Sequence, residues 1–298
     1  MKHHPLREKL IKKFAGRWSR ARPSVQADAV EKLTVLYDKF KEAGLADKNF
    51  ETGIFRGPTA AYFQRVGEML LADYLWRDGF NLCSKAVGPD FFAEKNGESM
   101  WIELHTPEPV GVPGDYFEFV PGKVFRVPHE ELSLRWTSAF SEKKRKYDKY
   151  IRDGVVSSSD KCVVAINASL LNRRSCPCFA GVSGLPVPVE IMFGIGANQV
   201  LIDRFNGEVI SQDFEHRPHI LKGSGAPVPS DSFFAEENKN ISAVLGVVLS
   251  EQMLLGGDNV SVVVYNPFAN VPLLLKSLGA VEHWVCNESG DGYVIEVA

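Results

Sequence analysis

Cysteine is scarce in this chain and does not pair. Of 298 residues five are cysteine (Cys83, Cys162, Cys176, Cys178 and Cys286). Their odd number and the lack of CxxC spacing argue against a disulfide framework and against a structural zinc ribbon. Cys176-Pro177-Cys178 reads as a loop with two ordinary thiols rather than a metal clip. Reduced thiols fit a cytoplasmic protein. Long apolar runs are missing too: none approaches the ~20 residues of a membrane span, and the N-terminus is charged from Lys2 onward with no apolar core for a secretory signal. A soluble protein with no membrane partner is expected. Nor is there an excess of positive charge. The net charge of −3 gives no global basic field, so any surface for nucleic acid has to be a local patch.

What is present is a hydrophobic content of 45%, enough to bury a substantial core. Residues 1–50 read as a helical N-terminal extension and residues 51–298 as one α/β domain with an elaborated C-terminal half. The extension opens on a basic arm: Lys2, Arg7, Lys9, Lys12, Lys13, Arg17, Arg20 and Arg22 stand against Glu8 alone before Asp28. Such an arm either contacts phosphates or is a solvated helix face. A second helix, Ala27 to Ala43, carries Val30, Leu33, Leu36, Tyr37 and Phe40 on one stripe.

The chain centres on the stretch from Val87 to His105. Asn96-Gly97 is a strong signal for a tight hairpin turn, because both central residues need positive φ. On the second strand Trp101, Glu103 and His105 point one way, and Ile102 and Leu104 point into a core. Asp90 follows Gly88-Pro89 at the start of the partner strand and falls near Glu103. Two carboxylates beside a backbone carbonyl suit a hard cation such as Mg²⁺ or Mn²⁺. The plainer reading is a surface hairpin with solvated acids.

The helix before the hairpin sharpens this. Thr59 to Gly79 has Phe63, Val66, Leu70 and Tyr74 at helical spacing, a start at Pro58-Thr59 and a stop at Gly79. Glu68 falls with Ala61, Gln64, Arg65, Ala72 and Leu75 on a less apolar side. Helix, strand, Gly-Pro-Asp and Glu-x-His in this order resemble the PD-(D/E)XK nuclease superfamily over about residues 59–151. Gly67-Glu68, Pro89-Asp90 and Glu103-Leu104-His105 take the family's motif positions, with His105 where the family has lysine. The resemblance implies a restriction-endonuclease-like fold: a mixed central β-sheet flanked by helices. It further implies Mg²⁺- or Mn²⁺-dependent cleavage of nucleic acid, DNA before RNA, with Asp90, Glu103 and Glu68 as metal residues. A homodimer is compatible with it. The alternative is an inactive descendant of the fold that binds nucleic acid or a protein.

The next helix, Glu130 to Arg152, has Trp136, Phe140, Tyr147 and Ile151 on its inward stripe, and Lys143 falls among them. Lys143-x-x-x-Tyr147 is similar in position to a Gln-x-x-x-Tyr element of some branches of the family. Lys143 is therefore expected to supply the fixed charge that His105, with its near-neutral pKa, does not. Lys144, Arg145 and Lys149 look outward as nucleic-acid contacts. The Pro-rich segment between, 106–129, is expected to hold a small hairpin of Tyr116–Val120 and Val124–Val127.

Beyond this, strands are expected at Cys162–Ala168, Val187–Phe193, Gln199–Ile202, Ile241–Leu249, Val260–Tyr265 and Tyr293–Val297, extending one sheet. Glu215-His216-Arg217-Pro218-His219 offers a weaker metal cluster, because Pro218 forbids regular helix there. It carries a third reading, a metal hydrolase.

Overall fold

The computed structural model describes residues 5–17, 21–85, 87–118, 126–172, 181–256, 260–290 and 292–298, with positions 120, 122, 124 and 179. Lys2, Arg20, Cys176 and Cys178, with the Arg17 side chain, lie outside the described residues.

Four helices come first: α1 Pro5–Arg17, α2 Pro23–Glu42, α3 Phe50–Phe55 and α4 Thr59–Arg77. Then follow β1 Asn81–Cys83, β2 Phe91–Lys95, β3 Glu98–His105, α5 His129–Arg152, β4 Cys162–Asn167 and α6 Val187–Phe193. The remainder is β5 Ile195–Ile202, β6 Val209–His216, β7 His219–Leu221, β8 Pro227–Pro229, β9 Ala243–Val247, β10 Ser261–Tyr265, β11 Glu282–Ser289 and β12 Gly292–Val297.

Eight strands make one mixed sheet in the order β1-β2-β3-β4-β9-β10-β11-β12. The β2–β3 hairpin turns at Asn96 (φ 53°) and Gly97 (φ 81°), with Phe91 opposite Ile102. From β3 the chain crosses through α5 to β4, which pairs parallel with Trp101 opposite Cys162. Helix α5 packs on both strands, as a β-α-β unit requires. Strand β4 is buried at every position, which explains why Cys162-Val-Val-Ala-Ile-Asn167 is almost continuously apolar rather than alternating.

Alternation across the sheet sorts the core into two layers. Ile102, Leu104, Val163 and Ala165 join Leu6, Leu10, Phe40, Phe50, Met69 and Leu71 on the face covered by the N-terminal helices. Trp101, Val164 and Ile166 join Trp136, Phe140, Tyr147, Ile191 and Met192 on the face covered by α5 and α6. The fold is therefore mixed α/β, a large mixed sheet flanked by helices. Removing one fully buried leucine such as Leu104 costs about 2–5 kcal/mol.

Three expectations are corrected. Val187–Phe193 is helix α6, not a strand: Pro186 and Pro188 suit a first helical turn, and a short buried apolar run has no periodicity to separate the two. Helix α4, which carries Glu68, is covered by α2 and α3 as well as by the sheet. The C-terminal strands do not all extend one sheet, for β5–β6 and β7–β8 are separate two-stranded ribbons. No strand occurs at 114–128 among the described residues; Gly114–Phe117 is a 3₁₀ turn. Positions 119, 121, 123 and 125 of the expected hairpin lie outside the description.

Candidate active site

Glu103 lies in the middle of the sheet and is only 1% exposed, so it is no solvated surface acid. A carboxylate so buried needs partners, and it has three. Its Oε1 accepts from Lys143 Nζ and Lys146 Nζ, each at 2.9 Å. Its Oε2 accepts from the Asp90 backbone N–H at 3.2 Å. Asp90 in turn takes the Leu104 N–H on Oδ2 at 2.7 Å. The Asp90 N–H thus joins the two acids directly across the hairpin, and the Leu104 N–H, next along β3, holds the Asp90 carboxylate in place.

Lys143 is 3% exposed, buried to its ammonium rather than extended to water. One turn on, the Tyr147 hydroxyl lies 3.0 Å from the Trp101 carbonyl and 2.9 Å from that of Val163. It therefore ties α5 to β3 and β4 and fixes where Lys143 emerges.

Helix α4 closes the other side. A Cβ on Gly67 would sit 2.9 Å from Thr106 Oγ1 and 3.1 Å from Asn167 Nδ2, so glycine lets this helix approach the ends of β3 and β4. Glu68, 5% exposed, accepts from Gln64 Nε2 at 3.1 Å and Arg65 Nη1 at 2.8 Å. Gln64 also donates to the Leu104 carbonyl at 3.1 Å and accepts the Thr106 N–H at 2.8 Å. One side chain thus links Glu68 to the end of β3.

These groups line one open cavity of about 570 Å³. Glu68, Asp90, Glu103, His105 and Lys143 all reach it, as the sequence reading places them. Its walls hold six carboxylates (Asp47, Glu68, Asp90, Glu103, Glu108, Glu142) against four full cations (Arg65, Arg135, Lys143, Lys146). Burial first, and then these charges, shift the proton affinities. Burial, then Glu103 and Glu68, push the Asp90 carboxyl well above the usual range. Burial raises Glu68, opposed by Arg65. Burial and Lys143 lower the His105 imidazole to about 4, against the pull of Glu142, whose Oε2 lies 3.7 Å from Nε2. His105 is therefore neutral at pH 7.

Lys144, Arg145 and Lys149 are not among the lining residues. Lys144 pairs with Asp148 at 2.9 Å, and Arg145 Nε donates to the Ser141 carbonyl at 3.2 Å. The face of α5 that meets the cavity carries Arg135, Glu142, Lys143, Lys146 and Tyr150 instead. Much of the basic arm is also engaged: Arg7 pairs with Glu31, Lys9 donates to the Ile54 carbonyl, and Lys13 sits 3.1 Å from the Tyr62 ring centroid. In the second acid–histidine cluster, Glu215 and His216 end β6 and His219 opens β7, all three exposed.

Sequence reasoning passed over Lys146, Gln64, Arg65 and Arg135. A signal existed for three of them. Lys146 is three residues from Lys143, and Gln64 and Arg65 precede Glu68 by four and three, the helical neighbour spacings.

Among the described residues no group of three or more His, Cys, Asp or Glu side chains is gathered closely enough to hold a metal ion. Lysines occupy Glu103, and arginine and glutamine occupy Glu68. Comparison with known proteins adds no relative: no family model, no curated protein and no solved structure matches the chain.

Proposed function

We propose that the cavity between α4 and α5 is the active site of a metal-dependent phosphodiesterase acting on nucleic acid, DNA before RNA, on a restriction-endonuclease-like fold. The observation that carries this reading is Glu103, buried beside Asp90 with two lysine ammoniums on one of its oxygens. A structural ion pair needs one cation. A second, half-exposed lysine on the same oxygen puts positive charge at the cavity wall, where a phosphate would enter.

The donor chemistry is that of a Mg²⁺ or Mn²⁺ site, all oxygens and negative in excess, though among the described residues these carboxylates are held by protein partners rather than gathered around an ion. Asp90 and Glu103 would hold the ion with the Leu104 carbonyl, and Glu68 would stand behind them. When bound, the ion supplies Lewis acidity toward a phosphoryl oxygen and a more acidic water. Lys143 and Lys146 offset the charge that grows on phosphate oxygens in the transition state, and buried, preoriented cations are most effective there. His105, neutral above about pH 4, accepts a hydrogen bond from the attacking water and orients it.

Purified protein with Mg²⁺ or Mn²⁺ is expected to cut plasmid or duplex DNA. Asp90→Asn and Glu103→Gln are expected to lower the rate by roughly 10²-fold or more. Wild-type protein that binds DNA without cutting it in either metal removes this reading. One observation favours the second reading, a non-catalytic member that binds nucleic acid or protein: both Glu103 and Glu68 are already neutralised by side-chain partners. On that reading Glu103→Gln leaves binding unchanged.

A further inference from the structure

Three of the four cations in the cavity are spoken for. Lys143 and Lys146 share Glu103, and Arg65 bridges Glu68 and Asp47 at 2.8 Å and 3.2 Å. Arg135 differs. It lines the same cavity, its Nε is buried without any hydrogen-bond partner, and it forms no ion pair with a described carboxylate.

A guanidinium held in a partly enclosed wall without an anion is an unusual arrangement, since unpaired buried donors cost free energy. Its planar fork matches a phosphate's two oxygens better than an ammonium does. The position is also informative. Arg135 precedes Lys143 by eight residues on α5, about 12 Å along the helix axis. One strand of a duplex rises ~3.4 Å per nucleotide, so Arg135 lies a few nucleotides from a phosphate at Glu103 and Lys143.

We infer that Arg135 is the anchor for a phosphate flanking the scissile one, fixing the register of a nucleic-acid strand along α5. The inference rests on the phosphodiesterase reading for its substrate, but the anion site itself is testable without metal or turnover. Because Arg135 has no hydrogen-bond or ion-pair partner among the described residues, it contributes to binding rather than to the fold or the bond-breaking step. Lys144, Arg145 and Lys149 are peripheral to it.

The test is anisotropy titration of a short fluorescent DNA duplex in EDTA, with 5′-phosphate or 5′-hydroxyl ends, over a range of salt. Arg135→Met is expected to weaken binding roughly tenfold or more and to lower the slope of log K against log salt by about one. The melting temperature should hold, and Arg135→Lys should restore part of the affinity. Weakening of the 5′-phosphate duplex alone assigns the anchor to a strand end; equal weakening of both assigns an internal phosphodiester. In cleavage assays KM rises while kcat holds. A wild type that never cuts, yet loses DNA on Arg135→Met, keeps the anchor and removes the nuclease. Unchanged affinity and salt slope in Arg135→Met overturns the inference. So does a loss of affinity that tracks a loss of melting temperature and is not relieved by Arg135→Lys.

Discussion

The chain writes acid and histidine close together twice, at Glu103-Leu104-His105 and at Glu215-His216-Arg217-Pro218-His219, and the fold treats the two differently. The first pair belongs to a strand with neighbours on both sides, β2 and β4. Its carboxylate is therefore enclosed and must recruit Lys143, Lys146 and the Asp90 amide. The second ends a ribbon of only two strands, where every residue of β6 is exposed. There Glu215, His216 and His219 face solvent, and the Glu215 carboxylate takes the Ala197 N–H at 3.4 Å. Composition made the two motifs look alike, and the number of flanking strands separates them.

The sharpest way to break this contrast is to delete each carboxylate. Glu103→Ala leaves the Lys143 ammonium buried with no anion and is expected to cost about 3–5 kcal/mol, read as a shift in the urea midpoint. Glu215→Ala is expected to stay within about 0.5 kcal/mol. Equal midpoints for the two variants would mean that Glu103 is not enclosed as described.

Acid tests the enclosed cluster next. His105 is lowered to about 4 by burial and Lys143, from about 6.5 in an unfolded chain. The folded state therefore favours the neutral imidazole. That stability is complete above about pH 6.5 and is lost as pH falls toward 4, on the order of 3 kcal/mol for this one group. In EDTA, His105→Gln should flatten the unfolding free energy across that window.

Asp90 runs the other way. Its carboxyl is raised by burial, Glu103 and Glu68, so the ionised form opposes folding above the unfolded carboxylate pKa. Asn keeps an oxygen for the Leu104 N–H, and Asp90→Asn should raise the melting temperature at pH 7 in EDTA. The gain should vanish below about pH 4, where the carboxyl is protonated in both states. A variant less stable than wild type at pH 7 would remove the picture of a carboxylate crowded by its neighbours.

The hairpin was legible because its turn chemistry is local: Asn96-Gly97 fixes the register, and register alone brings Asp90 to Glu103. Lys143 was legible because a charge within an apolar stripe stands out. Lys146 was not, since in a run of six charged or polar residues only the direction of the Glu103 side chain decides which lysine reaches it. Arg135 was hidden for a related reason. What marks it is the lack of a partner among the described residues, which depends on all the elements around the cavity and is written in none of them. The strand expected at Val187–Phe193 failed on a different count, where seven buried residues gave no alternation and the prolines were given too little weight. The strand expected at Gln199–Ile202 was placed in the main sheet because strand signals do not say which strand pairs with which; its partner β6 and the ribbon β7–β8 were not expected at all.

The smallest expected effect is the double change His216→Ala with His219→Ala. Both imidazoles are exposed, and no group of metal-holding side chains includes them among the described residues. Surface substitutions away from a cap, cavity or ion pair stay within about 0.5 kcal/mol, so stability should be unchanged. Catalysis tests the region more severely than stability does. A metal hydrolase built on these two histidines would lose its activity here and keep it in Glu103→Gln; the cavity between α4 and α5 predicts the reverse. The two variants, assayed side by side on one DNA substrate with Mg²⁺ or Mn²⁺, therefore assign the chemistry to the enclosed cluster or to the ribbon whatever the absolute rate.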